Sequence, residues 1–167
     1  MQENVYLDSL QLEAIVFDFD GVLTDNRVFV DEDGREMVCC HRGDGLAFDV
    51  LKQTHLQLFI LSTETNLVVT SRGEKLRVPV YQSTKDKKSS LEKLASGKNF
   101  SLGKTLFVGN DLNDYEVMHI CGFSACPSDS HPKILEIATF TLNNKGGSGV
   151  VREIVEQTLQ IDVLRML

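Results

Sequence analysis

Short apolar runs alternate with amphipathic stretches along the whole chain. The first run, Ala14-Ile15-Val16-Phe17, is continuously apolar, the pattern of a strand buried on both faces of a parallel sheet. It stops at Asp18. Runs of the same kind recur at Leu56–Leu61, Val78–Tyr81, Thr105–Val108, Phe123–Cys126 and Thr139–Leu142. Between them, apolar residues return at helical spacing over Leu46–Leu51 and Leu67–Lys75, near Ser89–Ala95, Asp114–Cys121 and Pro132–Ala138, and from about Val151 onwards. Arg27–Val30 and Glu36–Cys40 flank the acidic turn Asp31-Glu32-Asp33-Gly34 and predict a hairpin standing outside the repeat. Lys145-Gly146-Gly147-Ser148-Gly149 predicts a flexible link into the terminal helix. Repeated βα units give an α/β class: a Rossmann-like, doubly wound parallel sheet with helices on both faces. One domain spans residues 1–167, with a hairpin at about 27–40, a glycine-rich tail and helix at about 145–167, and no large inserted cap.

Composition narrows the function classes. Of 167 residues, 42% are hydrophobic and 25% charged, and no apolar run approaches the roughly 20 residues of a membrane span. The chain carries 17 Lys plus Arg against 24 Asp plus Glu, a net charge of -7, with no basic stripe, which disfavours binding to nucleic-acid backbones. Met1–Asp8 lacks a basic n-region followed by an apolar h-region, so the expected location is cytoplasmic. Cys39, Cys40, Cys121 and Cys126 match no zinc spacing and read as reduced thiols on apolar surfaces. His41, His55, His119 and His131 form no metal-binding cluster.

Open parallel sheets bind ligands beyond the carboxyl ends of their strands. Those ends carry Asp18-Phe19-Asp20-Gly21, Ser62-Thr63-Glu64 and Gly109-Asn110-Asp111-Leu112-Asn113-Asp114. Two carboxylates one residue apart take different roles if the chain leaves extended geometry between them, which Gly21 permits. One attacks phosphorus; the other protonates the leaving oxygen and then takes a proton from water. Carboxylates and phosphate oxygens are hard ligands, so Mg²⁺ is the natural bridging ion. The plainer alternative for Asp-x-Asp-Gly is a pair of solvated turn aspartates.

Asp18-Phe19-Asp20-Gly21-Val22-Leu23-Thr24-Asp25 resembles the first motif of the haloacid dehalogenase-like (HAD) phosphatases. Ser62 stands at the second-motif Ser/Thr, Lys87 in Asp86-Lys87-Lys88-Ser89 at the third-motif lysine, and Gly109–Asp114 resembles the acidic fourth motif. The resemblance covers nearly the whole chain. It implies Asp18 as nucleophile, Asp20 as general acid and base, and Ser62 and Lys87 as phosphoryl-stabilising groups. For Mg²⁺ it implies Asp18, Asp20, Asn110, Asp111 and Asp114. Whether Asn110 or Asp111 touches the ion is left open, as is the register of Lys87 against Lys88. A neutral Asn110, where many relatives present an aspartate, implies weaker metal affinity.

The small hairpin resembles the capless branch acting on 3-deoxy-2-ulosonic acid phosphates, either octulosonate 8-phosphates or nonulosonate 9-phosphates. That branch implies a homo-oligomer, typically a tetramer, whose hairpins and C-terminal tails reach neighbouring active sites. Ser62-Thr63-Glu64, Arg72 and Lys75 resemble the nine-carbon members, with Thr63, Glu64, Arg72 and Lys75 as substrate contacts. Arg42 is a further candidate for the substrate's acid group. The plainer reading of Glu64, Arg72 and Lys75 is a solvated helix face, and Asp44 reads as the N-cap of the helix it precedes. Thr24 and Asp25 shape the turn after Asp20, and His131-Pro132 starts a helix. Two functional readings follow: an Mg²⁺-dependent phosphomonoesterase acting on a small phosphorylated sugar acid, or a non-catalytic oligomerisation or regulatory module.

Overall fold

The computed structural model describes residues 6–167, so most of the stretch read above for a leader lies outside it. In chain order the elements are β1 (Ala14–Phe17), β2 (Thr24–Val30), β3 (Glu36–Cys40), α1 (Gly43–Leu51), β4 (Gln57–Leu61), α2 (Leu67–Leu76), β5 (Val80–Tyr81) and α3 (Lys87–Lys98). There follow β6 (Thr105–Val108), α4 (Tyr115–Ile120), β7 (Phe123–Cys126), α5 (Pro132–Ile137), β8 (Phe140–Thr141), α6 (Val150–Glu153) and α7 (Val163–Met166). No helix among the described residues is long and apolar enough to cross a membrane.

Six strands form one parallel sheet in the order β5-β4-β1-β6-β7-β8. β1 is continuously apolar because both of its faces are covered. Ile15 and Phe17 point into one core layer with α1, α2 and α6, while Ala14 and Val16 point into the other with α3, α4 and α5. Phe17 meets Phe48 of α1 edge-to-face at 5.1 Å, and Phe59 of β4 stacks on Phe100 at 5.6 Å. Burial of each such ring contributes about 2 kcal/mol. The chain moves from β1 outwards through β4 to β5, then returns to β6 on the other side of β1. This reversal opens a crevice at the carboxyl ends of β1 and β6, where Asp18 and Gly109-Asn110 stand.

The two-stranded sheet of β2 and β3 is the expected hairpin, and it begins earlier, at Thr24 rather than Arg27. β2 therefore grows straight out of the turn that carries Asp20. The pairing register slips between Thr24 and Val28, and Asn26 adopts a left-handed φ of 62°. Two expected strands are shorter: β5 keeps only Val80–Tyr81, following the N–H-less Pro79, and β8 keeps only Phe140–Thr141. α3 starts at Lys87, before Ser89, because the Asp86 side chain accepts from Ser89 N at 3.0 Å and caps it. His131 caps α5 ahead of Pro132, as expected.

Asp44 caps a different helix from the one expected. It lies inside the first turn of α1 and accepts from Arg152 N at 3.0 Å, so it anchors α6 across the fold. The tail is anchored on its own chain. Val150, Val151, Ile154 and Val155 are buried in the chain's own core. Gly147 N donates to Val22 O at 3.0 Å, and a Cβ on Gly147 would lie 2.4 Å from Asp25 N, so a glycine is needed where the tail crosses the Asp20 turn. The four cysteines are free, but Cys39 is exposed on the hairpin rather than set on an apolar surface, because alternate residues of β3 face solvent.

Candidate active site

Asp18 extends β1 by one residue, its N–H donating to Val108 O of β6 at 2.8 Å. Its carboxylate is buried. Lys87 Nζ reaches it from the first turn of α3, 2.7 Å from Asp18 Oδ1 and 2.6 Å from Asp114 Oδ1. All three side chains are sealed from solvent. Burial raises the pKa of Asp18, and the Asp114 charge adds to it, while Lys87 opposes both. Burial works against the charge on Lys87, yet the two carboxylates outweigh it and raise the lysine above its ordinary value. The register is thereby decided: Lys87 enters the site and Lys88 does not.

Asp114, expected on the metal side, is engaged by groups of the protein itself. Its Oδ1 is held by Lys87, and its Oδ2 accepts from Asn110 N at 2.9 Å and Asp111 N at 3.3 Å. It fixes the loop after β6 and the lysine together. Asp111 accepts from Leu112 N at 2.7 Å and caps the short turn over Leu112–Asp114.

Asn110 is directed at the crevice. Its side-chain amide lies with one terminal atom 2.8 Å from Asp20 O and 3.3 Å from Asp18 Oδ2. Without a cation, that atom satisfies both oxygens only as the NH₂ group. With the amide oxygen there instead, three hard oxygens converge: a carboxylate, a main-chain carbonyl and an amide. That set suits Mg²⁺. Among the described residues no three His, Cys, Asp or Glu side chains gather into a metal site. In such a set Asp20 would offer its carbonyl, leaving its carboxylate for other work. Gly21, at φ 80°, makes this approach possible, since a Cβ there would lie 1.9 Å from the Asn110 amide.

Asp20 is half-buried, and burial raises its pKa, with the Thr24 hydroxyl partly opposing this. An upward shift is the direction that suits a general acid. Thr24 Oγ1 organises the turn: it donates to Asp20 Oδ1 at 3.3 Å and accepts from Gly21 N and Asn26 N, each at 3.2 Å. Ser62 is buried at the end of β4, and its Oγ accepts from Glu64 N at 3.1 Å, which leaves the hydroxyl proton free to donate.

These groups line a cavity of about 90 Å³ walled by Asp18, Asp20, Asn26, Ser62, Thr63, Asn110, Asp111 and Asn113. Glu64, Arg72, Lys75 and Arg42 are not among its walls. Glu64 Oε1 accepts from Thr65 N at 2.7 Å and Asn66 N at 3.0 Å, closing the turn before α2. Arg72 Nη2 donates to His41 O at 3.1 Å, and Asn66 Nδ2 donates to Glu36 Oε2 at 2.9 Å, so α2 braces the base of the hairpin. Arg42 and Lys75 are exposed. Sequence reasoning gave no role to Asn26 and Asn113. Asn113 lay within a quoted motif, whereas only the slipped register of β2 brings Asn26 to the cavity.

A model of the haloacid dehalogenase-like hydrolases matches residues 48–154, which include Ser62, Lys87 and Asn110–Asp114. The chain belongs to that family. Within it this HAD-family enzyme is a phosphatase, similar over most of its length to phosphatases of known name. It is 25% identical over 158 residues to the 3-deoxy-D-manno-octulosonate 8-phosphate phosphatase KdsC of Yersinia pestis, covering 94% of this chain and 84% of that protein. It is 26% identical over 141 residues to N-acylneuraminate cytidylyltransferase A of Danio rerio, where the match spans 83% of this chain and 33% of the longer protein. Among solved structures, a HAD-family chain from Streptomyces avermitilis superposes with a TM-score of 0.90 at 36% identity, covering 93% of this chain and 90% of that one. The octulosonate 8-phosphate phosphatase of Yersinia pestis gives 0.88 at 25% identity, covering 95% and 86%.

Proposed function

We propose that this HAD-family enzyme is an Mg²⁺-dependent phosphomonoesterase acting on a 3-deoxy-2-ulosonic acid phosphate, a nonulosonate 9-phosphate or octulosonate 8-phosphate. The observation that carries the reading is the buried Asp18–Lys87–Asp114 cluster at the floor of a phosphoryl-sized cavity. A scaffold has no use for it. Burying two carboxylates and a lysine carries a desolvation cost that an apolar packing of equal volume avoids, which disfavours the non-catalytic alternative.

In this mechanism the Asp18 carboxylate attacks phosphorus and forms an aspartyl phosphate. Asp20 gives its proton to the departing sugar oxygen, then accepts one from the water that hydrolyses the acyl phosphate. Lys87 and the Ser62 hydroxyl offer donors to the phosphoryl oxygens, and Lys87 also holds Asp18 in place. Asp18, the Asp20 carbonyl and Asn110 would hold Mg²⁺, which supplies positive charge against that developing on the phosphoryl group.

The cavity accommodates the phosphoryl group and leaves the sugar acid to lie over its mouth. Val28, Phe29, Val30 and Met37 are exposed on the hairpin, which supports the homo-oligomer, a tetramer by resemblance. The test is phosphate release from acylneuraminate 9-phosphate, deoxynonulosonate 9-phosphate, octulosonate 8-phosphate and an aryl phosphate, each with Mg²⁺ and with chelator. Metal-dependent preference for the ulosonates is expected. Asp18→Asn should lower kcat by about 10³-fold or more while the far-ultraviolet circular dichroism stays unchanged. Turnover by that variant near the wild-type rate rules out Asp18 as nucleophile.

A further inference from the structure

We propose that Asn26, at the root of the hairpin, is a specificity-determining residue that hydrogen-bonds the substrate's carbon chain next to the transferred phosphoryl group; this rests on the phosphatase reading above. A cavity of about 90 Å³ is far smaller than the roughly 300 Å³ at which pockets begin to enclose a drug-sized ligand. The carbon chain must therefore leave through the mouth. Beyond the groups already given chemical roles, the cavity is walled by Asn26, Thr63, Asp111 and Asn113. Asp111 is acidic and poorly suited to an anionic substrate, and Thr63 Oγ1 already accepts from Asn113 Nδ2 at 3.5 Å.

Asn26 differs from these in three ways. Among the described residues its side-chain amide makes no hydrogen bond within the protein, whereas its N–H is held by Thr24 Oγ1 at 3.2 Å. That hydroxyl is the one that donates to Asp20, so the position of Asn26 is tied to the general acid. Its φ of 62° lies where a glycine would be accommodated at lower cost, at an irregularity in β2 of the kind that re-aims side chains beside active sites. A primary amide both donates and accepts, which matches a run of hydroxyl groups and has nothing to pair with on an aryl ring.

The experiment compares kcat/KM for octulosonate 8-phosphate and for p-nitrophenyl phosphate in the wild type and in Asn26→Gly, together with thermal melts. Glycine suits the left-handed backbone, so the melting temperature should not fall. The ratio of kcat/KM for the sugar-acid phosphate over that for the aryl phosphate should drop about tenfold, mainly through KM, as expected for one lost hydrogen bond. Asn113→Ala, on another wall of the mouth, should lower the same ratio less, because that amide already donates to Thr63 Oγ1. An unchanged ratio in Asn26→Gly overturns the assignment and leaves the phosphatase reading standing, as does a ratio that falls only in Asn113→Ala. A wild type that releases phosphate from neither of these substrates nor from the nonulosonate 9-phosphates overturns the phosphatase reading itself, and this assignment with it.

Discussion

The floor of the site and its rim are built on different physics. On the floor, Asp18, Lys87 and Asp114 are sealed from solvent and held at 2.6–2.7 Å, each supplied by a separate segment ending at the sheet's carboxyl edge. At the rim, Asn26, Thr63 and Asn113 are exposed, and the braces from α2 to the hairpin are isolated hydrogen bonds. Water screens the rim and is excluded from the floor, so charge is costly below and inexpensive above. The floor therefore tolerates one arrangement, while the rim is free to vary with substrate.

The largest test of that contrast removes the lysine. Lys87→Met leaves two buried carboxylates without a counter-charge and should cost about 3–5 kcal/mol in denaturant unfolding, besides abolishing turnover. A variant as stable as the wild type would erase the distinction between floor and rim. Next, Asn110→Asp adds a charge to the metal donors and should tighten Mg²⁺ about tenfold in an activity titration, with the required metal concentration falling accordingly. No change would move the ion away from Asn110.

The smallest effect lies outside the cavity walls, at Asp44. One of its oxygens accepts from Arg152 N, and the other is buried without a partner. Burial raises its pKa above the ordinary 3.8, so the folded state keeps a proton that the unfolded chain has released. The stability from this group is complete below the unfolded pKa and is lost as pH rises through the folded one. Asp44→Asn keeps the cap and gives the orphaned position a neutral group. It should stabilise the protein by about 1 kcal/mol at neutral pH, with the gain vanishing in acid. A gain that persists unchanged at pH 3 would place its cause elsewhere than in ionisation.

Legibility in the sequence followed the same division. Ala14–Phe17 could be read as a central strand because both of its faces are buried, and Asp18, Ser62 and Gly109–Asp114 could be placed at strand ends because each follows such a run directly. Lys87 was readable from its motif, but its choice over Lys88 came from the Asp86 cap, which sets the first turn of α3. The capping role of Asp44 was misplaced because its partner lies 108 positions away at α6. Glu64 and Arg72 were read as substrate contacts from the resemblance alone, since a charge on or beside an amphipathic helix carries no sign of whether it faces a ligand, a loop or water.

The sequence by itself determined the layered α/β fold, the strand ends where chemistry gathers and the residue types that gather there, since these follow from local periodicity and from single motifs. The tertiary structure decided which oxygens converge beside Asn110, which second carboxylate pairs with the lysine, and which amide lines the cavity. Those choices depend on distances between segments far apart in the chain and on the exclusion of water from the space between them, and neither quantity is written in the order of residues.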